Sequence, residues 1–337
     1  MSITWLDPPV DVTPSGGSTD TWTDLDLSVS PASLPVGTKG VILHIFNNSA
    51  TDRRGGYRKN GSTDDASGYK GDLKADSHRT EFIGVDADRI IEFNHEVTDG
   101  TTEIRVAGYA DSDWDFLTNA SDYTPGSANT FTDADITPDT TGVAIGAVFV
   151  AYAASGNSSV AMALRKNGGS DDRSGARRSH GMGVIGVDSG EVAEVKLNAT
   201  DDNIVLVGYC TANATFHTNG VDVSLGSTGS TINLSNLPTG ATGGFYEVVC
   251  PTGTTTYLLQ TDGSTENINA GMSNRHGFMI VKAASLVCEM QIADLVNDCF
   301  EIGYPVDAAG GPTVPDDTLA PTMQLMESGG YIGAVIR

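Results

Sequence analysis

The chain has 337 residues, and its 19 Lys plus Arg stand against 43 Asp plus Glu for a formal net charge of -24. Such a field repels phosphate backbones and argues against broad nucleic-acid binding, and no apolar stretch approaches the roughly 20 residues that cross a bilayer as a helix. The 40 glycines, the abundance of Thr, Ser and Asp and the lack of a long helical period predict an all-β chain.

In chain order, residues 1–20 read as an extended N-terminal arm, with Trp5, Pro8, Pro9 and Pro14. Leu25 and Leu27 alternating with Asp24 and Asp26 then predict a strand with one buried face. The apolar run Val41–Phe46 predicts an interior strand, and Phe245–Val249 follows a similar Pro and Gly punctuation at Pro238, Gly240 and Gly243.

Three landmarks then recur in register at a spacing of roughly one hundred residues, the mark of a repeated domain. The first is Tyr57-Arg58-Lys59-Asn60-Gly61-Ser62-Thr63-Asp64-Asp65, matched by Leu164-Arg165-Lys166-Asn167-Gly168-Gly169-Ser170-Asp171-Asp172 and in outline by Leu259–Asn267. The second is a lone histidine at 78, 180 and 276, and the third a Gly-Tyr pair at 108–109, 208–209 and 303–304. Ile83-Gly84-Val85-Asp86 and Ile185-Gly186-Val187-Asp188 also match, whereas the third copy reads Val281-Lys282-Ala283-Ala284. The expected organisation is three tandem antiparallel β-sandwiches, jelly-roll or immunoglobulin-like, with six to eight strands each. They span residues 21–126, 127–228 and 229–306, and a linker with an apolar C-terminal strand occupies 307–337.

Chemical signatures are scarce. The chain carries no phosphate-binding glycine loop, zinc-protease helix, nucleophile elbow or CxxC pair. The repeated histidine lacks a recurring nucleophile, since Ser77, Ser179 and Arg275 precede it; a histidine bonding a neighbouring carbonyl is the expectation. The Asp-Asp loops match no calcium loop spacing and are expected to be solvated turns. No catalytic residue, cofactor or metal is expected. Cys210, Cys250, Cys288 and Cys299 do not recur by copy and suit buried free thiols, with a Cys288–Cys299 pair as the alternative. The cations Arg58, Lys59, Arg165 and Lys166 beside acidic loops are the candidate interdomain or intersubunit contacts. Tyr331, Ile332, Val335 and Ile336 form a strand that either returns to its own sheet or adds to a neighbouring subunit.

The unit GVILHIFN, YRKNGSTDD, histidine, IGVD and GY resembles a β-sandwich module of structural proteins in tailed phages and archaeal tailed viruses, over about four fifths of the chain. That resemblance implies a non-enzymatic virion protein, on a capsid decoration, turret or tail, assembled in the host cytoplasm. Its expected partners are other virion proteins and further copies of itself, without nucleic acid or membrane insertion. Asp outnumbers Glu by 32 to 11 and Lys occurs only 7 times, which would suit a saline host. The alternatives are a glycan-binding adhesin presenting Trp114 and Tyr123 to a host-surface sugar, and a polysaccharide depolymerase with paired acids.

Overall fold

A computed structural model describes the chain except residues 1–2, 17–18, 65–70, 74, 76, 98, 154–159, 177–179, 225–231, 235–236, 250–256, 262–275, 293–297, 308–323, 329–330 and 336–337. Repeat 1 contains β1 (Ile3–Asp11), β2 (Thr23–Asp26), β3 (Gly40–Asn47), β4 (Arg53–Lys59), β5 (Gly71–Leu73), β6 (Ser77–Gly84), β7 (Ile90–His95) and β8 (Thr102–Ala110). Its sheets run β1-β8-β3-β6 and β2-β7-β4-β5. Apart from the β4–β5 hairpin, strands that are consecutive in sequence alternate between two antiparallel layers in this order, which defines a jelly roll and sets aside the immunoglobulin alternative.

The order recurs in repeat 2, formed by β9 (Trp114–Asp122), β10 (Thr132–Asp135), β11 (Gly146–Ala153), β12 (Ala161–Lys166), β13 (Gly175–Ala176), β14 (His180–Gly186), β15 (Val192–Leu197) and β16 (Asp202–Cys210). Its sheets run β14-β11-β16-β9 and β10-β15-β12-β13. A single helical turn, α1 (Thr137–Thr140), joins β10 to β11. Repeat 3 has β17 (Ala214–Asp222), β18 (Ile232–Leu234), β19 (Gly243–Val249), β20 (Tyr257–Thr261), β21 (His276–Lys282), β22 (Cys288–Ile292) and β23 (Asp298–Pro305), in sheets β17-β23-β19-β21 and β18-β22-β20. A separate hairpin pairs β24 (Gln324–Ser328) with β25 (Tyr331–Val335).

Two boundaries expected from sequence move. The N-terminal arm is the edge strand β1, paired antiparallel with β8 from Ile3↔Ala110 to Asp11↔Arg105. Likewise Trp114–Asp122, expected to close repeat 1, opens repeat 2 by pairing with β16. The joints between repeats are therefore residues 111–113 and 211–213. Sequence alternation misses these first strands because each is interrupted. Register shifts fall between Trp5 and Val10, between the partners of Phe116 and Ser121, and between Phe216 and Val221. Each strand thus arches off its sheet in mid-course.

Repeats 1 and 3 each keep an interior cluster, around Leu43, Ile91 and Val106 and around Tyr246, Met279 and Cys299. The interior of repeat 2 is continuous with apolar side chains of both neighbours, including Phe82 of repeat 1 and Phe216 and Phe245 of repeat 3. Cys210, Cys288 and Cys299 are buried free thiols, and Cys250 lies outside the described residues.

The Gly-Tyr motif has a steric basis. A Cβ on Gly208 would meet Phe116 at 2.6 Å and the Asp115 carbonyl oxygen at 2.8 Å, and one on Gly108 would meet the Thr4 carbonyl oxygen at 2.9 Å. A Cβ on Gly303 would likewise run into the Thr215 carbonyl oxygen and then Phe216. Replacing Gly208 by Ala should cost about 1–3 kcal/mol by overpacking. Gly126→Ala, where nothing lies within 4 Å, should be near neutral; denaturant unfolding of the two variants checks the contrast.

Candidate functional site: the seams between repeats

Each arched first strand plants one aromatic side chain in a glycine cup of the preceding repeat. Phe116, from β9, occupies the space where Gly40 and Gly84 of repeat 1 would carry side chains. Phe216, from β17, stands in the same relation to Gly146 and Gly186 of repeat 2. Trp5, from β1, lies against Gly243 of repeat 3, which joins the last repeat to the first. The three jelly rolls therefore close into a ring with a pseudo-threefold arrangement. Burying one such aromatic contributes about 1.5–3 kcal/mol. Edge-to-face contacts of Phe82 with Trp114 at 4.7 Å and with Phe116 at 5.0 Å tie repeat 1 to repeat 2. Trp114 reaches Phe245 of repeat 3 at 6.1 Å, and Phe245 stacks on Phe216 at 5.4 Å.

Beside Phe116 and Phe216, the arch carries an asparagine into the repeated Asn-Gly loop of the preceding repeat. Asn119 Oδ1 accepts the Thr63 amide at 2.8 Å and the Thr63 and Ser62 hydroxyls at 3.2 and 3.3 Å. One repeat later, Asn219 Oδ1 accepts the Ser170 amide at 2.7 Å and the Asp171 amide at 3.3 Å. The loop answers with its first aspartate: Asp64 accepts the Ala120 amide at 2.8 Å and Asp171 the Gly220 amide at 2.7 Å. Gly61 and Gly168, with φ of 78° and 83°, supply the left-handed residue of the turn. Asn60 donates to Asp86 at 2.6 Å and Asn167 to Asp188 at 2.7 Å, bracing each loop from its own repeat. The Asp-Asp loops, expected as solvated turns, are docking latches at these two seams. Among the described residues no group of His, Cys, Asp and Glu could hold a metal ion.

The third seam is built differently on both sides. Counting from Trp5 as from Phe116, Pro8 and Pro9 stand where Asn119 and Ala120 stand, so no amide proton is available at Pro9 for a latch. The facing loop of repeat 3, Asp262–Asn267, lies outside the described residues. Lys282, which replaces the glycine of Gly84 and Gly186, donates to Asp7 at 2.6 Å. The departure of the third copy from the repeat pattern thus supplies an ion pair to the ring closure.

The recurring histidines are buried, and His180 and His276 reach across the junctions. His180 Nε2 lies 3.0 Å from Glu81 of repeat 1, and Arg79 Nε lies 3.0 Å from that same carboxylate. His276 bonds the Gly175 carbonyl of repeat 2 through Nδ1 at 3.3 Å and Glu247 through Nε2. Arg173 of repeat 2 crosses to Glu247 at 2.7 Å and also holds the Leu164 carbonyl at 2.9 Å. Burial pushes Glu247 up, but the His276 and Arg173 charges outweigh it and hold the carboxyl at about 2. His78 stacks on Phe46 at 5.7 Å. His44 is lowered to about 3 by burial, then by His78 beside it. His95 bonds the Tyr57 hydroxyl at 2.7 Å and is lowered to about 4 by burial and Arg79.

Of the predicted contact residues, Lys59 crosses a seam, donating to the Phe116 carbonyl at 2.7 Å. The Lys166 Cδ stands 3.2 Å from the position of a Cβ on Gly186, in the cup that takes Phe216. Arg58 and Arg165 instead serve their own repeats. Arg58 pairs with Glu92 at 2.9 Å beneath the Trp22 ring, and Arg165 pairs with Glu194 at 2.8 Å beneath Phe131. Each guanidinium also donates to a main-chain carbonyl of its own docking loop, Arg58 to Asp64 and Arg165 to Asp171, so these two brace the latches from within their own repeats. Tyr331, Ile332 and Val335 belong to β25, paired with β24; Ile336 lies outside the described residues. Trp114, expected as a sugar platform, is fully buried, and Tyr123 donates its hydroxyl to Asp139 at 2.7 Å. Sequence reading missed Asn119 and Asn219, although Phe116-Leu117-Thr118-Asn119 and Phe216-His217-Thr218-Asn219 repeat in register. It also missed Arg173, which has no recurring counterpart.

Fold and seams together define a single-chain ring of three jelly rolls. No family model matches the chain, and no curated protein matches it. A solved structure described as "The Triple Jelly Roll Fold and Turret Assembly in an Archaeal Virus" is similar at a TM-score of 0.20 and 10% identity, over 90% of this chain and 89% of that one. The jelly-roll assignment rests on strand order.

Asn119→Ala and Asn219→Ala should each cost about 0.5–1.5 kcal/mol, because each removes the shared acceptor of a latch whose amides water can reach. Hydrogen exchange should show the loss of protection at Thr63 and Ala120 for the first and at Ser170 and Gly220 for the second, with the interior strands unaffected. Acid should weaken the ring. His44 and His95 titrate lower in the fold than their ordinary 6.5, so the unfolded chain binds more protons and stability falls as pH drops from about 6.5 toward 3–4. Glu247, held below its ordinary 4.5, adds a loss from about 4.5 toward 2. Thermal midpoints recorded between pH 7 and 4 should decline, and His44→Phe should flatten that slope.

Proposed function

We propose that this chain is a non-enzymatic virion structural protein on the particle surface, a capsid decoration, turret or tail component acting in assembly, stabilisation or host contact. The observation that carries the reading is how the repeated polar signature is used. The Asn-Gly loops, the histidines and the Gly-Tyr glycines lie in contacts within and between jelly rolls. Their chemistry is hydrogen bonding and steric fit: His180 faces a glutamate, His276 a glutamate and a carbonyl, and His78 an aromatic ring. A ring that secures its own seams supports a role in which shape is the product.

The motif resemblance supports the same reading, as does the acidic balance of 43 carboxylates against 19 Lys plus Arg, which keeps a densely arrayed surface hydrated. Other virion proteins and further copies of the chain are the partners in this reading, which places the protein in the virion after assembly in the host cytoplasm. Burial of Trp114 removes the main aromatic platform of the glycan-binding alternative.

Particles purified from an infected culture should contain the chain at a fixed ratio to the major capsid protein, and labelled antibody should decorate their surface in electron micrographs. A chain recovered only from the soluble host fraction would overturn the proposal.

A further inference from the structure

In repeats 1 and 2 the outer sheet has one edge against a neighbouring repeat, and in all three repeats another edge carries no further strand among the described residues. The inward edges are β5, which contacts β14, and β13, whose Gly175 carbonyl is bonded by His276. The outward edges are β2, β10 and β18. An outward edge exposes a row of backbone N–H and C=O groups that accepts any strand laid along it, and natural sheets guard such rows with charge.

Repeats 1 and 2 are guarded alike. β2 reads Thr23-Asp24-Leu25-Asp26 and β10 reads Thr132-Asp133-Ala134-Asp135, and all four aspartates are exposed. Repeat 3 is not. β18 reads Ile232-Asn233-Leu234, and Asn233 pairs with Glu289 as Asp24 pairs with Glu92 and Asp133 with Glu194. At the same register position the carboxylate has become an amide, and the threonine before it has become isoleucine. Among the described residues, no strand lies on the outer side of β18.

The chain also carries a strand pair in need of a sheet. β24 and β25 pair with each other and, among the described residues, with no other sheet. Their ten residues hold a single charge, Glu327. A lone two-stranded hairpin is marginal in water, and a third strand stabilises it. The 18 residues from 306 to 323 that precede it span at most about 60 Å when extended, enough to cross a small domain. A tether of that reach gives the hairpin a high effective concentration at its own β18, yet among the described residues the two do not pair.

We propose that the C-terminal hairpin of one copy adds to the β18 edge of a second copy, extending its outer sheet in repeat 3. The contact is heterologous, edge to tail, so identical chains joined through it form a closed ring or an open file, according to the angle of each step. The carboxylates of β2 and β10 direct the tail to repeat 3, because adding a strand there would desolvate charges that already repel an acidic chain.

The test uses full-length chains at 0.1 M and about 1 M salt, where the screening length falls from about 10 Å to about 3 Å. Light scattering after size exclusion should show the wild type self-associating with concentration. Ile232→Thr/Asn233→Asp gives β18 the Thr-Asp-Leu sequence of β2, which its sibling repeat already folds with, and should be monomeric. Gly333→Pro, which removes an amide from β25, should also be monomeric. Mixed in equal amounts, the two variants should form a two-chain complex, since the first keeps an intact tail and the second an intact edge. A monomeric wild type at both salt concentrations, variants that keep the wild-type mass, or a mixture that stays monomeric would each overturn the proposal. None of these readouts depends on whether the chain resides in a particle.

Discussion

The ring depends on one steric fact: a first-strand aromatic side chain of one repeat fills volume that glycine leaves empty in its neighbour, two glycines at the first two seams and one at the third. Because Phe116 and Phe216 reach across from arches in their strands, the seam is made by an element that also forms the edge of its own jelly roll. Fold and assembly are therefore coupled within the chain. A repeat cannot complete its inner sheet without presenting its aromatic, and the presented aromatic remains exposed until the preceding repeat has folded. The shared core of repeat 2 follows from this, since its interior continues into side chains of both neighbours.

Two of the seams are near copies and the third is not, and the difference is concerted. An arch with Pro8 and Pro9 offers no amides to a loop aspartate. On the facing side, the cup that would hold a second glycine holds Lys282, whose ammonium reaches Asp7. Lys59 plays a related part at the first seam, donating to a main-chain carbonyl of the arch. The cation has moved from the loop strand to the inner sheet, while the aromatic at Trp5 is retained. The closing contact differs chemically from the two it completes, which distinguishes the ends of the chain within a ring of otherwise similar members.

Much of this was legible in the sequence. The all-β class, the threefold repetition and the markers at Asn60, His78 and Tyr109 could be read because a repeated residue stands out without knowledge of its contact. What the residues touch could not be read. The loops resemble solvated turns because their partners, Asn119 and Asn219, sit about fifty residues downstream, on strands whose alternation is broken by the arch. Those same strands were assigned to the wrong repeat, since the Gly-Tyr run ends a jelly roll while the polar stretch after it resembles a linker. Arg58 and Arg165 were recognised as paired cations, but charge pairing alone does not distinguish Glu92 across one sheet from an acid across a seam. Arg173 carried no signal at all, because it occurs in one copy only.

That singular residue explains how three similar units assemble in one order. Buried ion pairs contribute little net stability, but breaking one by removing a partner costs about 3–5 kcal/mol. Glu247 is buried between His276 of its own repeat and Arg173 of the preceding one. A repeat 1 loop brought to that place would offer Asp64-Asp65-Ala66 where repeat 2 offers Asp171-Asp172-Arg173, and Glu247 would lose its guanidinium. Glu81 makes the complementary demand, since at the equivalent position repeat 2 has Gly183 and repeat 3 has Met279, with no carboxylate to meet a histidine. The shared aromatic and glycine contacts would let any repeat dock on any other. The charges that do not repeat penalise the wrong neighbour, so the fold order follows the chain order.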